Sequence, residues 1–267
     1  MSEVQVETQH LCVRFGEFHA VRDVSFAVKK GEIFGFLGAN GAGKTTTIRV
    51  LCGLLPPTSG EVRVAGATYA AGEKAIKAKV GYMSQKFTLY DDLSVGENLE
   101  FAARLRRMNA RVFAERRGRL LEFIAFSRPI DTMVRDLAGG LKQQVSLVAA
   151  LLHDPDIIFL DEPTAGVTPA ARARFWSLIR ELRDQGKTIF VTTHYMDEAE
   201  NCGRIALMRA GELIALDDVP GLKKKAFPDA IIELESKGAP LTRQEYLAMK
   251  NHPALRSFQP HGVRYHA

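Results

Sequence analysis

Eight consecutive residues, Gly38-Ala39-Asn40-Gly41-Ala42-Gly43-Lys44-Thr45, leave the chain few local options. The glycines let backbone N–H groups turn inward around an anion. Lys44 places a cation beside the outer phosphates of a nucleotide, and the Thr45 hydroxyl stands where Mg²⁺ takes a ligand. Thr46 follows at the start of a helix, whose dipole adds to the anion site. The apolar run Ile33-Phe-Gly-Phe-Leu37 precedes the loop and Ile48-Arg-Val-Leu-Cys52 continues the helix. A buried strand, a phosphate loop and a helix are therefore expected in that order.

A second constellation, Ile157-Ile-Phe-Leu-Asp161-Glu162-Pro163, has four apolar residues that bury a strand and deliver two carboxylates to its C-terminal end. Ligands of open α/β sheets sit there. Asp161 is expected to hold Mg²⁺ through water, and Glu162 to orient or deprotonate the attacking water. Strands are also expected at 4–7, 11–15, 61–64, 80–85, 188–191, 205–208 and 213–216. Helical periodicity marks 94–126, 141–152 and 170–184. Apolar strands alternating with helices predict a parallel sheet covered on both faces.

These motifs, with Gln85, the segment Leu137-Ala138-Gly139-Gly140-Leu141-Lys142-Gln143 and His194, resemble the ATPase subunits of ABC transporters over about residues 4–216. The stretches Gly31-Glu-Ile-Phe-Gly-Phe-Leu-Gly38, Gly81-Tyr-Met-Ser-Gln85 and Thr192-Thr-His-Tyr-Met-Asp-Glu-Ala-Glu200 are similar to the ABC-2-type, multidrug-exporter branch. The resemblance implies an α/β P-loop NTPase fold with a mostly parallel core sheet, an N-terminal antiparallel β-subdomain and a helical signature subdomain at about 86–153. The ATPase domain is expected at 1–219. From about Pro220 the chain changes character, with Lys223-Lys-Lys225, a strand-like run from Ala230, a helical stretch near 243–250 and an extended segment from Val263, so a small α+β appendage is expected at 220–267.

The resemblance also implies roles. Phe15 falls where an aromatic stacks on adenine, a core phenylalanine being the alternative. Gln85 touches metal and nucleophilic water, and His194 contacts the γ-phosphate. Phe87, Leu89 and Tyr90 fall where a groove receives a helix of the membrane partner. Two ATPase subunits, either two copies or this chain with a sibling, are expected to sandwich ATP. The signature segment Ala138-Gly139-Gly140 of one then faces the phosphate loop of the other. The membrane-spanning ABC-2-type subunit is expected on another chain, with this chain peripheral on the cytoplasmic face of the cell membrane and export of a substrate as the outcome.

Where the family signature reads Leu-Ser-Gly-Gly-Gln, this chain has Ala138 and Leu141. Losing a hydroxyl that bonds a charged group in the transition state slows hydrolysis roughly 10- to 100-fold. Thr168 replaces an acid, Gln144 an arginine and Ala39 a proline. Residues acting on the chain's own ATP are intact, whereas those acting on the partner's are altered. Two other readings therefore stand beside the exporter subunit: a nucleotide-binding regulatory module with little turnover, and a soluble ABC ATPase acting on nucleic acid or ribosomes.

The net charge of +5 is concentrated in Arg104, Arg106, Arg107, Arg111, Arg116, Arg117 and Arg119. A solvated helix face, anionic headgroups or an acidic edge of a membrane partner, and nucleic acid are the candidate explanations. No nucleic acid is expected, because aromatics suited to base stacking are few. The longest apolar run, 145–152, is far short of the roughly 20 residues of a membrane span. Met1-Ser-Glu-Val-Gln5 shows no leader pattern. The cysteines, Cys12, Cys52 and Cys202, have no metal or CxxC spacing and read as small core residues of a reducing compartment.

Overall fold

The computed structural model describes residues 3–85, 89–226, 233–236, 241–253, 255, 257–261 and 264–266. The chain separates into two compact units, Met1–Val219 and Pro220–Ala267.

The first unit contains two sheets. Strands β1 (Val4–Phe15) and β2 (Phe18–Lys29) form a long hairpin, extended by β4 (Ser59–Val64) and β5 (Ala67–Thr68) in the antiparallel order β2-β1-β4-β5. The gap expected between 7 and 11 is a bulge inside one strand. His10 adopts φ 52°, and the register with β2 shifts between Thr8 and Leu11. Strand β2 was absent from the sequence expectations, although Val24, Phe26 and Val28 alternate inward.

The second sheet runs β10-β9-β3-β8-β7-β6. Its strands are β3 (Ile33–Leu37), β6 (Val80–Met83), β7 (Ile157–Asp161), β8 (Thr188–Thr193), β9 (Arg204–Arg209) and β10 (Glu212–Asp217). The pairs from β6 through β9 are parallel, and only the edge strand β10 is antiparallel. Strands β3, β7 and β8 are buried at every position, as continuous apolar runs between covered faces must be. The two sheets share one core. Phe26 of β2 stacks on Phe34 of β3 at 5.5 Å between centroids and also meets Phe36 and Phe190. Helix α1 (Lys44–Leu51) adds Ile48, Val50 and Leu51 to the same cluster.

Helix α2 (Glu73–Lys79) leads into β6. The helical insert is α3 (Val95–Leu105), α4 (Ala110–Phe123) and α5 (Gly139–Leu151). A capping box between Ser94 and Glu97 starts α3, and the Asn109 side chain caps α4. Helix α6 (Pro169–Asp184) connects β7 to β8, and the short α7 (Met196–Ala199) follows β8. No helix among the described residues is long and apolar enough to cross a membrane.

Much of the arginine-rich insert is satisfied internally. Arg104 and Arg119 pair with Glu100 and Glu115 one turn back. Arg116 reaches Asp154 and the Leu151 carbonyl, Arg106 donates to the Lys77 and Val80 carbonyls, and Arg117 covers the Phe113 ring. Arg106 and Arg116 therefore tie the insert to neighbouring segments, and Arg104 and Arg119 lie on solvated helix faces.

The second unit carries helix α8 (Val219–Ala226), which begins at the unit boundary, then β11 (Glu233–Leu234), α9 (Arg243–Lys250), β12 (Gln259–His261) and β13 (Arg264–His266). Its strands pair antiparallel in the order β11-β13-β12. The strand expected from 230 and the extended segment from 263 each begin outside the described residues.

Candidate functional site

The phosphate loop leaves β3 and enters α1. Gly43 has φ 106°, and a Cβ there would lie 2.5 Å from the Ala20 carbonyl, so only glycine fits. Gly38 lies so close to the Met208 carbonyl of β9 that a Cβ would approach it to 2.3 Å. These contacts explain two glycines by packing as well as by anion binding. Ala42 is buried behind the loop, its N–H bonded to the Ala39 carbonyl at 3.1 Å and its carbonyl accepting from Gly211 at 3.0 Å.

A cavity of about 400 Å³ opens over the loop. Asn40, Gly41, Gly43, Lys44, Thr45, Thr46, Gln85 and Glu162 line it, together with Phe18 and Ala20. Phe15, the expected adenine platform, is not among the lining residues. It is 52% exposed, which removes the core alternative, and it pairs across the hairpin with Phe18. Phe18 was missed because hairpin register decides which aromatic faces the loop.

Lys44 is 4% exposed. Its Nζ donates to the carbonyls of Gly38 at 2.8 Å and Ala39 at 3.1 Å and lies 3.4 Å from Glu162 Oε1. The other carboxylate oxygen of Glu162 accepts from Gln85 Nε2 at 2.9 Å and lies 3.3 Å from His194 Nδ1. Glu162 thus gathers Lys44, Gln85 and His194 from three segments. Its backbone has φ 49°, uncommon for a residue with a side chain. Its N–H meets both the carbonyl and hydroxyl oxygens of Thr192.

Asp161 lies beneath this cluster, 1% exposed. Its Oδ1 accepts from Thr192 Oγ1 at 2.7 Å and from Thr45 Oγ1 at 3.2 Å, while its Oδ2 is buried with no hydrogen-bond partner among the described residues. Burial raises the Asp161 carboxyl above its ordinary range, opposed by the Thr192 and Thr45 hydroxyls. The Glu162 charge raises it further and Lys44 lowers it.

Ala138, Gly139 and Gly140 sit away from the cavity at the N-terminus of α5. Ala138 is the N-cap and makes no side-chain cap. A Cβ at Gly140 would meet that of Ala171 on α6 at 2.7 Å, so this glycine also permits close helix contact. Thr168, in place of the family's acid, caps α6 by accepting from the Ala171 N–H at 3.3 Å. The charge is missing there and the capping role is kept. In the expected groove, Tyr90 is 52% exposed and stands edge-on to Phe101 at 5.2 Å. Phe87 lies outside the described residues.

The model of the ABC transporter family matches residues 21–165. The chain is 43% identical over 227 residues to the probable multidrug ABC transporter ATP-binding protein YbhF of Escherichia coli, covering 85% of this chain and 39% of that protein. It is 36% identical over 256 residues to the Nod factor export ATP-binding protein I of Burkholderia orbicola, covering 96% and 84%. With the linearmycin resistance ATP-binding protein LnrL of Bacillus subtilis it shares 34% over 236 residues, covering 87% and 75%. The chain therefore spans about two fifths of YbhF and most of the other two. Among solved structures, the ADP conformation of MJ1267, an ATP-binding cassette of an ABC transporter, superposes with a TM-score of 0.76 at 26% identity, covering 85% of this chain and 96% of that one. The dimeric post-hydrolysis state of the cassette MJ0796 bound to ADP and phosphate gives 0.72 at 25%, covering 80% and 99%.

Proposed function

This chain belongs to the family of ABC transporter ATP-binding proteins, and from that membership we propose that it binds and hydrolyses ATP to drive export through a separate membrane-spanning subunit. The observation that carries the proposal is the Glu162 carboxylate, held by Lys44, Gln85 and His194 at the mouth of the phosphate-loop cavity.

In the proposed reaction, the loop N–H groups and Lys44 take the phosphate oxygens. Lys44 then exchanges the Gly38 and Ala39 carbonyls and Glu162 Oε1 for the nucleotide, which leaves Glu162 an oxygen to act as base. Water adds to the γ-phosphorus as the bond to the β–γ bridging oxygen breaks. The electron pair leaves with ADP, and the water proton passes to Glu162. Gln85 is proposed to fix the carboxylate orientation, and His194, which adjoins the same oxygen but does not line the cavity, to contact the γ-phosphate. Thr45 Oγ1 and Asp161 fit a hard cation, and the orphaned buried Asp161 Oδ2 is the observation in favour. Bound there with the nucleotide, Mg²⁺ would neutralise charge on the phosphate oxygens. Phe18 or its hairpin neighbour Phe15 is proposed to cover the adenine.

The relatives' names support the export role, and the dimeric MJ0796 structure supports a paired subunit as partner. Ala138, Gly139 and Gly140 are proposed to face that partner's nucleotide. Association with the cytoplasmic face of the membrane is proposed to follow from the membrane partner. A nucleotide-binding module of low turnover is the second reading, favoured by the missing hydroxyl at Ala138.

Steady-state phosphate release by wild type and Glu162→Gln tests the proposal. The variant is expected to lose about 10²-fold or more of the rate while still binding nucleotide. Equal rates would remove Glu162 from the reaction, and a wild-type rate at background would favour the low-turnover module.

A further inference from the structure

Behind the site lies a buried carboxylate that the proposed reaction does not use. Glu198, on α7, is 1% exposed. Its Oε1 accepts from the Thr164 hydroxyl and lies 3.1 Å from Arg172 Nε, and its Oε2 accepts from Thr193 Oγ1 at 2.8 Å. Both oxygens are committed, and each partner sits on a different piece of the site. Thr164 is two residues past Glu162. Thr193 immediately precedes His194, and its hydroxyl also accepts from the Tyr195 N–H at 3.0 Å. Arg172 belongs to α6, and its guanidinium stacks over Tyr195 at 4.6 Å. The Tyr195 ring in turn lies 4.1 Å from the His194 ring. Arg172 also reaches Asp197 at 3.4 Å.

We infer that Glu198 is a positioning residue for hydrolysis, clasping the segment that carries Glu162 to the segment that carries His194. The inference rests on the assignment of those two residues under the proposed function. Its physical basis is the backbone at Glu162. A left-handed φ at a residue with a side chain persists only where its surroundings over-determine it. The N-terminal side of this bend is held by Thr192, whereas its C-terminal side is held through Thr164 by Glu198. The same carboxylate fixes Thr193 and hence the exit of β8 toward His194. Loss of the clasp lets Glu162 and His194 drift relative to one another, and misplacement of about 1 Å costs up to roughly 10²-fold in rate. Glu198 does not line the cavity, so ADP, which lacks the γ-phosphate assigned to His194, is expected to bind as before.

The test measures phosphate release against ATP concentration for wild type, Glu162→Gln, Glu198→Gln, Thr164→Val and Thr164→Ser, with thermal melts and ADP binding alongside. Glu198→Gln keeps the shape and removes the charge opposite Arg172. Thr164→Val removes one clasped hydroxyl at constant volume. Both are expected to lower kcat about tenfold or more with KM and ADP affinity within about twofold of wild type. Thr164→Ser is expected to recover the rate that Thr164→Val loses. Wild-type kcat in both Glu198→Gln and Thr164→Val overturns the inference. So does a loss tracked by a matching rise in KM, or one that serine fails to rescue. Wild-type release that equals that of Glu162→Gln overturns the reading of the site itself, and the inference falls with it.

Discussion

At the scale of single residues, Asp161 makes the sharpest physical demand. Its carboxyl is buried, one oxygen has no partner among the described residues, and burial raises its pKa in the folded chain. The native protein therefore keeps this proton to higher pH than the unfolded chain does. Stability falls as pH rises from the ordinary carboxylate range through the raised value, and the penalty is complete above it. Asp161→Asn removes the penalty. Without nucleotide, the variant is expected to melt above wild type at pH 7. The advantage should shrink toward pH 4, as the native wild-type carboxyl takes up its proton. The same variant should lose the Mg²⁺-dependent part of the melting shift that nucleotide gives wild type, which is about 2.7 kcal/mol at a hundredfold excess over Kd. An Asn variant less stable than wild type at both pH values would refute the buried-charge account. Lys44, Thr45, Asp161 and Glu162 were legible because local order places each at a strand end or helix start. Thr192 was not assigned to the site, since it meets Asp161 only through the parallel register of β7 with β8. Glu198 was hidden likewise. Its partners Thr164 and Arg172 lie 34 and 26 positions back in the chain, so no local motif joins them.

At the scale of elements, helix starts decide what the altered signature can do. The periodic span 94–126 divides into α3 and α4, whereas α5 and α6 match the expected helices with ends displaced by a residue or two. Helix α2 was not, because it buries a single apolar residue, Ile76, and so has no amphipathic stripe to read. Helix α5 starts at Gly139, two positions earlier than the apolar pattern indicates, and its N-cap, Ala138, has φ −62° and ψ 149°. That is the extended geometry in which a serine hydroxyl accepts from the N–H groups of the first turn. Ala138→Ser is therefore expected to act twice. It should stabilise the chain by about 0.5–2 kcal/mol through the cap. It should also raise steady-state hydrolysis toward the roughly 10- to 100-fold assigned to the missing hydroxyl. Thermal melts and phosphate release separate the two effects. A stability gain with an unchanged rate would make the residue a helix cap with no part in the partner's site. Thr168 already makes the equivalent cap on α6, so the same argument predicts no gain in capping from an acid there.

At the scale of the whole molecule, strand identities could be read but strand order could not. The order β10-β9-β3-β8-β7-β6 arises from crossovers that no single segment encodes, and right-handed connections narrow the choices without selecting one. The change of character near 220 was visible as composition, yet the chemistry that stabilises 220–267 lies in aromatic packing. Phe258 is 2% exposed, stacked on Tyr265 at 5.1 Å and tilted against Tyr246 at 5.5 Å, whose hydroxyl donates to the Phe258 carbonyl. Truncating a buried phenylalanine costs about 3–5 kcal/mol. A unit this small rarely holds more than that from its core. Phe258→Ala is thus expected to unfold 220–267 while leaving 1–219 folded. The sequence supplies a clean reporter, because its single tryptophan, Trp176, is buried on α6 in the first unit. In Phe258→Ala the Trp176 fluorescence melt should keep its wild-type midpoint and phosphate release its Glu162 dependence. Limited proteolysis should trim the chain back toward Val219. A Trp176 midpoint that falls together with protease resistance would show that the two units unfold as one.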